Sequence, residues 1–139
     1  MTRTGLHAVR ALVVLSRLPR GANAGAGQIA REIGAPRNYL GKLLQVLTHH
    51  GLVESQKGLG GGFRLAREPR RISLFDVVEP IEHVSRWSGC ILGHAECSEE
   101  QSCAIHDQWG KVRNAYLKLL NRTTIADLAA KGELKALEV

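Results

Sequence analysis

Apolar residues near the start of the chain recur at helical spacing. Leu6, Val9, Leu12, Val13 and Leu15, with the small Ala8 and Ala11, predict a helix that is apolar on most of its sides and therefore lies in a core. Pro19-Arg-Gly21 and the Gly/Ala stretch to Gly27 end it in a loop. The next segment, Gln28 to Ile33, predicts a short second helix with Ile29 and Ile33 on one face. Gly34 stops it, because glycine adopts the left-handed conformation without a side-chain clash. Pro36 restarts the chain near a first helical position, where a missing N–H does no harm. Tyr39, Leu40, Leu43, Leu44 and Leu47 then repeat on one face as far as Gly51, leaving Arg37, Asn38, Lys42, Gln45 and His49 on the other. Two helices joined by a tight Gly-Ala-Pro turn, with Ala30 small where they cross, make a helix-turn-helix.

Two short apolar segments follow, Leu52 to Ser55 and Phe63 to Leu65, on either side of Gln56-Lys-Gly-Leu-Gly-Gly-Gly62. They predict a hairpin with a long glycine-rich tip, and a helix-turn-helix followed by a hairpin is a winged helix. In that arrangement the recognition helix enters the major groove and the wing runs along the backbone or minor groove. A nucleotide-binding loop is a poor reading of the same glycines, which no Lys-Ser/Thr follows and which open no helix. Ser73 and Asp76 have capping-box spacing and predict a helix from Leu74 to about Val84, with Pro80 as a kink or break. A long helix is expected from near Cys103. Its stripe of Ile105, Trp109, Val112, Tyr116 and Leu119 is spaced as in a two-helix seam, which suits a self-complementary dimer contact better than folding back on its own domain. Thr124 and Asp127 cap a last short helix. The expected fold is therefore mainly α with a small β-hairpin wing. It divides into a winged helix-turn-helix unit with its supporting helix (1–84), a cysteine-rich loop (85–102), and a dimerisation helix with its tail (103–139).

Composition narrows the function. The 139 residues are 44% hydrophobic and 23% charged, which suits one compact unit and argues against wholesale disorder. No apolar run approaches the roughly 18 residues of a membrane span, and the N-terminus does not read as a secretory signal, so a cytoplasmic protein is expected. The formal net charge is +6, but residues 1–71 hold twelve Lys/Arg and three Glu, whereas residues 72–139 hold seven basic and ten acidic side chains. A half carrying +9 is the footprint of a polyanion binder, although an ordinary solvated basic surface would look the same by charge alone. The residues expected at DNA are Gln28, Arg37, Asn38, Tyr39 and Lys42, with Lys57, Gly60 and Gly61 on the wing.

All three cysteines, Cys90, Cys97 and Cys103, fall within fourteen residues. An odd count in an intracellular chain argues against a disulfide scaffold, and the Cys-x6-Cys-x5-Cys spacing lacks the close pair usual in structural zinc sites. Thiolates on a flexible loop suit an iron–sulfur cluster, and Gly89 and Gly93 supply the flexibility. For the fourth ligand, His106 lies three residues after Cys103, on the same face if both are helical. It could equally be a surface histidine beside Asp107, and His94, Glu96 and Glu99 are further candidates. His7, His49, His50 and His83 read as structural or surface residues, with His49 and His50 able to reach phosphates.

Taken together, these features resemble the IscR/NsrR (Rrf-two) family of bacterial winged-helix regulators. The similarity runs from Gly5-Leu-His-Ala-Val9 and Ile29-Ala-x-x-Ile-Gly34 through Pro36-x-x-Tyr-Leu40-x-Lys-Leu-Leu44 to the Lys57-Gly-x-Gly-Gly-Gly-Phe-x-Leu65 wing. Ile72-Ser-Leu-x-Asp-Val-Val78, the cysteine loop and Thr124-Ile-Ala-Asp-Leu128 complete it. The resemblance implies a homodimer on a dyad-symmetric operator, a repressor whose DNA affinity is set by the state of an iron–sulfur cluster that senses redox state, nitric oxide or iron and cluster supply. In members with three Cys and one His, the histidine lies three residues after the last cysteine, which carries over to His106. Other members draw an acidic ligand from the partner's first helix; the matching position here is Leu6, which cannot ligate. That favours His106 and a two-iron (2Fe-2S) over a four-iron (4Fe-4S) cluster. Two departures are the six residues between the first two cysteines, where five is common, and Lys57 where Arg is usual. The other reading within this class is a cluster-free winged helix using Cys90, Cys97 and Cys103 as a thiol redox switch or zinc site. An enzyme is not expected, because no constellation of acid, base and nucleophile is present.

Overall fold

A computed structural model describes residues 1–88, 91–92 and 103–132. Helix α1 (Arg3–Ser16) is the axis of the molecule. Thr2 caps it, its hydroxyl accepting the Gly5 N–H at 3.0 Å, so the helix starts one turn before the apolar pattern does. Ala8, Ala11 and Leu12 are fully buried, and the small alanines let other elements approach on several sides. Helices α2 (Ala26–Ile33), α3 (Arg37–His49), α4 (Leu74–Glu82) and α6 (Ile125–Ala130) all pack on α1.

The helix-turn-helix forms as expected. Gly34, at φ 70°, ψ 37°, ends α2 in the left-handed conformation, and the N–H groups of Gly34 and Ala35 both donate to Ala30 O. Pro36, extended at ψ 134°, is the residue just before α3. Leu40, Leu43, Leu44 and Leu47 of α3 are buried against α1 and α2.

Strands β1 (Val53–Gln56) and β2 (Gly62–Leu65) form an antiparallel hairpin in which Val53 pairs with Leu65 and Gln56 with Gly62. A 3₁₀ turn at Pro69–Arg71 leads into α4. The Ser73–Asp76 capping box forms in full, and Pro80 is accommodated inside the last turn of α4. Glu82 is the final helical residue, and His83 follows at φ 50°, ψ 50°.

The chain returns in α5 (His106–Arg122), and the second capping box, Thr124–Asp127, starts α6. The two boxes lie back to back. Ser73 and Thr124 form an antiparallel bridge, with Leu74 N–H donating to Thr123 O at 2.8 Å and Ile125 N–H to Ile72 O at 2.9 Å. The last element of the described chain is thereby sewn to the start of α4. The one buried residue of α5 is Leu120, while Val112 and Leu119 are 60% and 55% exposed. Two of the five residues of the expected apolar seam are therefore left mostly uncovered by the described residues.

Candidate nucleic-acid interface and sensing segment

The amphipathic sequence of α3 decides which of its residues face outward. With four leucines in the core, Arg37, Asn38, Lys42, Gln45 and His49 lie exposed, and Gln28 is exposed on α2. Gly27 gives Arg37 room to lie against α2: a Cβ there would sit 3.3 Å from the Arg37 Nε. Tyr39 is half-buried, and its ring meets His7 of α1 edge-on at 5.6 Å between centroids. His7 is 5% exposed, which bears out its structural reading. Burial, then the neighbouring Arg10 and Arg3 charges, hold its pKa below the ordinary imidazole value.

The wing is fixed by more than its own ladder. Ala24, just before α2, exchanges two backbone hydrogen bonds with Phe63, at 2.9 and 2.8 Å. The Asn23 amide donates to Gln56 Oε1 at 3.2 Å and to Gly60 O at 3.1 Å, so the tip is tied to the loop that precedes the helix-turn-helix. The tip glycines are required by this geometry. A Cβ on Gly61 would collide with the Gln56 carbonyl, and one on Gly62 (φ 141°) would lie 2.7 Å from the Ala24 backbone. Lys57 and Gly60 are exposed and Gly61 is half-exposed. Asn23 belongs to no periodic pattern; its one signal in the sequence is that it is the lone polar side chain in a Gly/Ala loop.

Of the sensing residues, Cys90 and Cys97 lie outside the described residues, as do His94, Glu96 and Glu99. Cys103 is a free, half-exposed thiol. The expectation that Cys103 and His106 share a helix face is corrected: α5 begins only at His106, and Cys103 sits in the turn before it. That turn is closed by His106 N–H donating to Cys103 O at 3.0 Å, so the two residues are close through a turn and not through helical periodicity. The segment between α4 and α5 is anchored at its near end, where Ser85 N–H donates to Glu79 Oε2 at 2.9 Å and the Ser85 hydroxyl donates to Oε1 of the same carboxylate.

Glu82, which the sequence did not single out, ties this region to α1. Its Oε1 accepts from the Thr2 N–H at 2.6 Å and the Thr2 hydroxyl at 2.7 Å, while a Cβ on Gly5 would collide with it. The same carboxylate, after burial, raises the pKa of Tyr116 on α5. The end of α4 is thus in electrical or hydrogen-bonded contact with both α1 and α5.

A family model described as "Rrf2: Iron-dependent Transcriptional regulator" matches residues 1–131. The chain belongs to the Rrf2 family. Rrf2 relatives include Protein aau3 of Rhizobium meliloti (strain 1021), 36% identical over 136 residues, covering 92% of this chain and 83% of that one. A protein of Aquifex aeolicus (strain VF5) named for an HTH-type transcriptional regulator is 34% identical over 103 residues, 73% of this chain and 72% of its own. Among solved structures, CymR, the global cysteine regulator of B. subtilis, superposes with a TM-score of 0.79 at 25% identity, covering 96% of this chain and 98% of its own. IscR of T. potens superposes at 0.77 and 26% identity, covering 99% and 93%. As an Rrf2 protein the chain is a DNA-binding transcriptional regulator and not an enzyme, and its winged-helix fold is the one expected from the sequence. No helix among the described residues is long and apolar enough to cross a membrane.

Proposed function

We propose that this Rrf2 regulator acts as a homodimer on a dyad-symmetric operator and that an iron–sulfur cluster held by Cys90, Cys97, Cys103 and His106 sets its affinity for DNA. The observation that carries this reading is that Cys103, a free thiol, and His106 share one turn at the root of α5, closed by a backbone hydrogen bond, in a chain that also carries a winged helix. These two donors fit a thiolate-rich cluster with one imidazole ligand, and a two-iron cluster is the nuclearity we favour. When bound, such a cluster supplies redox-active iron whose potential a histidine ligand raises.

This chain's residues would do the rest. Arg37, Asn38, Tyr39 and Lys42 on α3, with Gln28 on α2, would face the major groove, while Lys57 and the backbone at Gly60 and Gly61 approach phosphates. The half-exposed seam of α5 would meet its two-fold copy. A shift in the segment after α4 can reach α3 by contact: through Glu82 to Thr2 at the head of α1, and through His7 to Tyr39. Displacing one recognition helix would forfeit its half-site contacts, each mismatched base pair costing about 1–3 kcal/mol.

The test is anaerobic purification with an absorption spectrum and iron and sulfide analysis, followed by titration of a palindromic duplex with and without oxidant. A coloured, iron- and sulfide-containing protein whose affinity changes on oxidation is expected; a colourless, iron-free protein would sink the cluster reading. The likeness to CymR, a cysteine regulator, favours one second reading: a winged helix whose cysteines form a thiol switch or bind zinc. It predicts an iron-free protein whose DNA affinity changes with a thiol oxidant or with zinc and loses that response in Cys103→Ser.

A further inference from the structure

Leu59 is the most exposed large apolar side chain among the described residues, with a relative exposure of 108%. It stands at the tip of the wing between Gly58 (φ 91°) and Gly60 (φ 74°), neither of which has a neighbour within 4 Å of the place a Cβ would occupy. Lone apolar side chains on a surface are common, but this one is held on a prepared mount. The Gly61 N–H donates to Gly58 O at 3.0 Å to close the turn beneath it, Asn23 fastens the Gly60 carbonyl, and Phe63 is paired to Ala24. The tip is thus held by the protein's own hydrogen bonds, and no described residue covers the leucine.

We propose that Leu59 is a specificity-determining residue that enters the DNA minor groove beside the half-site read by α3. The inference rests on the reading of the hairpin as a wing on DNA and extends it to a preference for base steps. The wing carries Lys57 two residues away to meet phosphates, so its tip is directed at a polyanion; the part of DNA that can bury an isobutyl group is the groove floor. Apolar wedges of this kind separate adjacent bases, which is easiest at flexible pyrimidine–purine steps such as TA and CA/TG. The wing would then read a step outside the major-groove site by the ease with which it opens, without a hydrogen bond to any base.

The full-length protein, purified anaerobically, is used to enrich binding sites from random duplexes, and Leu59→Ser, Leu59→Met and Lys42→Ala are compared on the enriched pool. We expect a pyrimidine–purine step at a fixed distance from each half-site in the wild-type pool. Leu59→Ser should bind that pool roughly tenfold more weakly, by the loss of one buried leucine, and should enrich the same half-sites without the step. Leu59→Met, which keeps the apolar volume, should retain the step. Equal binding by Leu59→Ser together with the same flanking step would overturn the role of Leu59 while leaving the DNA interface intact, provided Lys42→Ala still weakens binding. A wild-type protein that enriches no sequence would overturn both.

Discussion

Helices α3 and α5 are built alike in sequence, each with apolar residues recurring every three or four positions, yet they end in opposite circumstances. The α3 leucines are all 5% exposed or less, whereas on α5 Val112 and Leu119 remain more than half exposed and Leu120 alone is buried. The contrast shows what periodicity does and does not specify. It fixes that a helix has an apolar face; whether the cover for that face lies in the same chain depends on what else packs nearby. α3 lies between α1, α2 and the strand that follows it, and α5 touches chiefly α4 and the turn after it. The same division appears in charge, +9 on residues 1–71 against −3 on residues 72–139.

The largest effect that could sharpen this contrast is in the α3 core. Leu44→Ala should cost about 2–5 kcal/mol of stability, read from urea denaturation, because a fully buried leucine leaves a cavity. Its counterpart on α5, the double change Val112→Glu with Leu119→Glu, should leave the helical circular dichroism intact. It should make the protein monomeric by sedimentation equilibrium and weaken binding to a palindrome by about a hundredfold, through loss of the second half-site. A dimer that survives this change would mean that the α5 seam is covered in some other way. Smaller again, Ser73→Ala and Thr124→Ala should each cost about 1 kcal/mol, since each removes the acceptor from one capping box; additive losses in the double variant would show the two boxes act independently despite their shared bridge.

The smallest effect concerns pH. Burial, then the Arg10 and Arg3 charges, put the folded pKa of His7 below the ordinary value of about 6.5 that it recovers on unfolding. Above that value the group contributes no slope. As pH falls from 6.5 towards the folded value, the unfolded state takes up the proton first and stability declines. His7→Gln should flatten the stability profile over that window, with Arg10 and Arg3 unchanged; an identical slope in the variant would remove His7 as its source.

Much of the fold was legible because it is encoded locally. Gly34, the Ser73 and Thr124 boxes and the leucine face of α3 each act within a turn or two of their own position, and each formed where the spacing put it. Helix α5 starts three residues later than its pattern predicts, because the tight turn at Cys103 uses helix-compatible residues without continuing the helix. Glu82 and Asn23 were missed for a different reason: their partners are 80 and 33 to 37 residues away, and no periodicity records a contact across that separation. The candidate site divides in the same manner. The basic face of α3 follows from pattern, whereas the link from Glu82 through α1 to Tyr39 exists only once the chain is folded.

The Ser73–Thr124 bridge also gives α5 a mechanical character. Because Thr123 and Thr124 are sewn to the head of α4, the C-terminal end of α5 is a fulcrum and the helix from there to His106 is the arm. At 1.5 Å per residue that arm is about 24 Å long, so a tilt of about 5° at the bridge carries His106 through about 2 Å. A disturbance of atomic size at the cysteine-bearing end is thus matched by a rotation small enough for the threonine end to absorb with its hydrogen bonds unbroken.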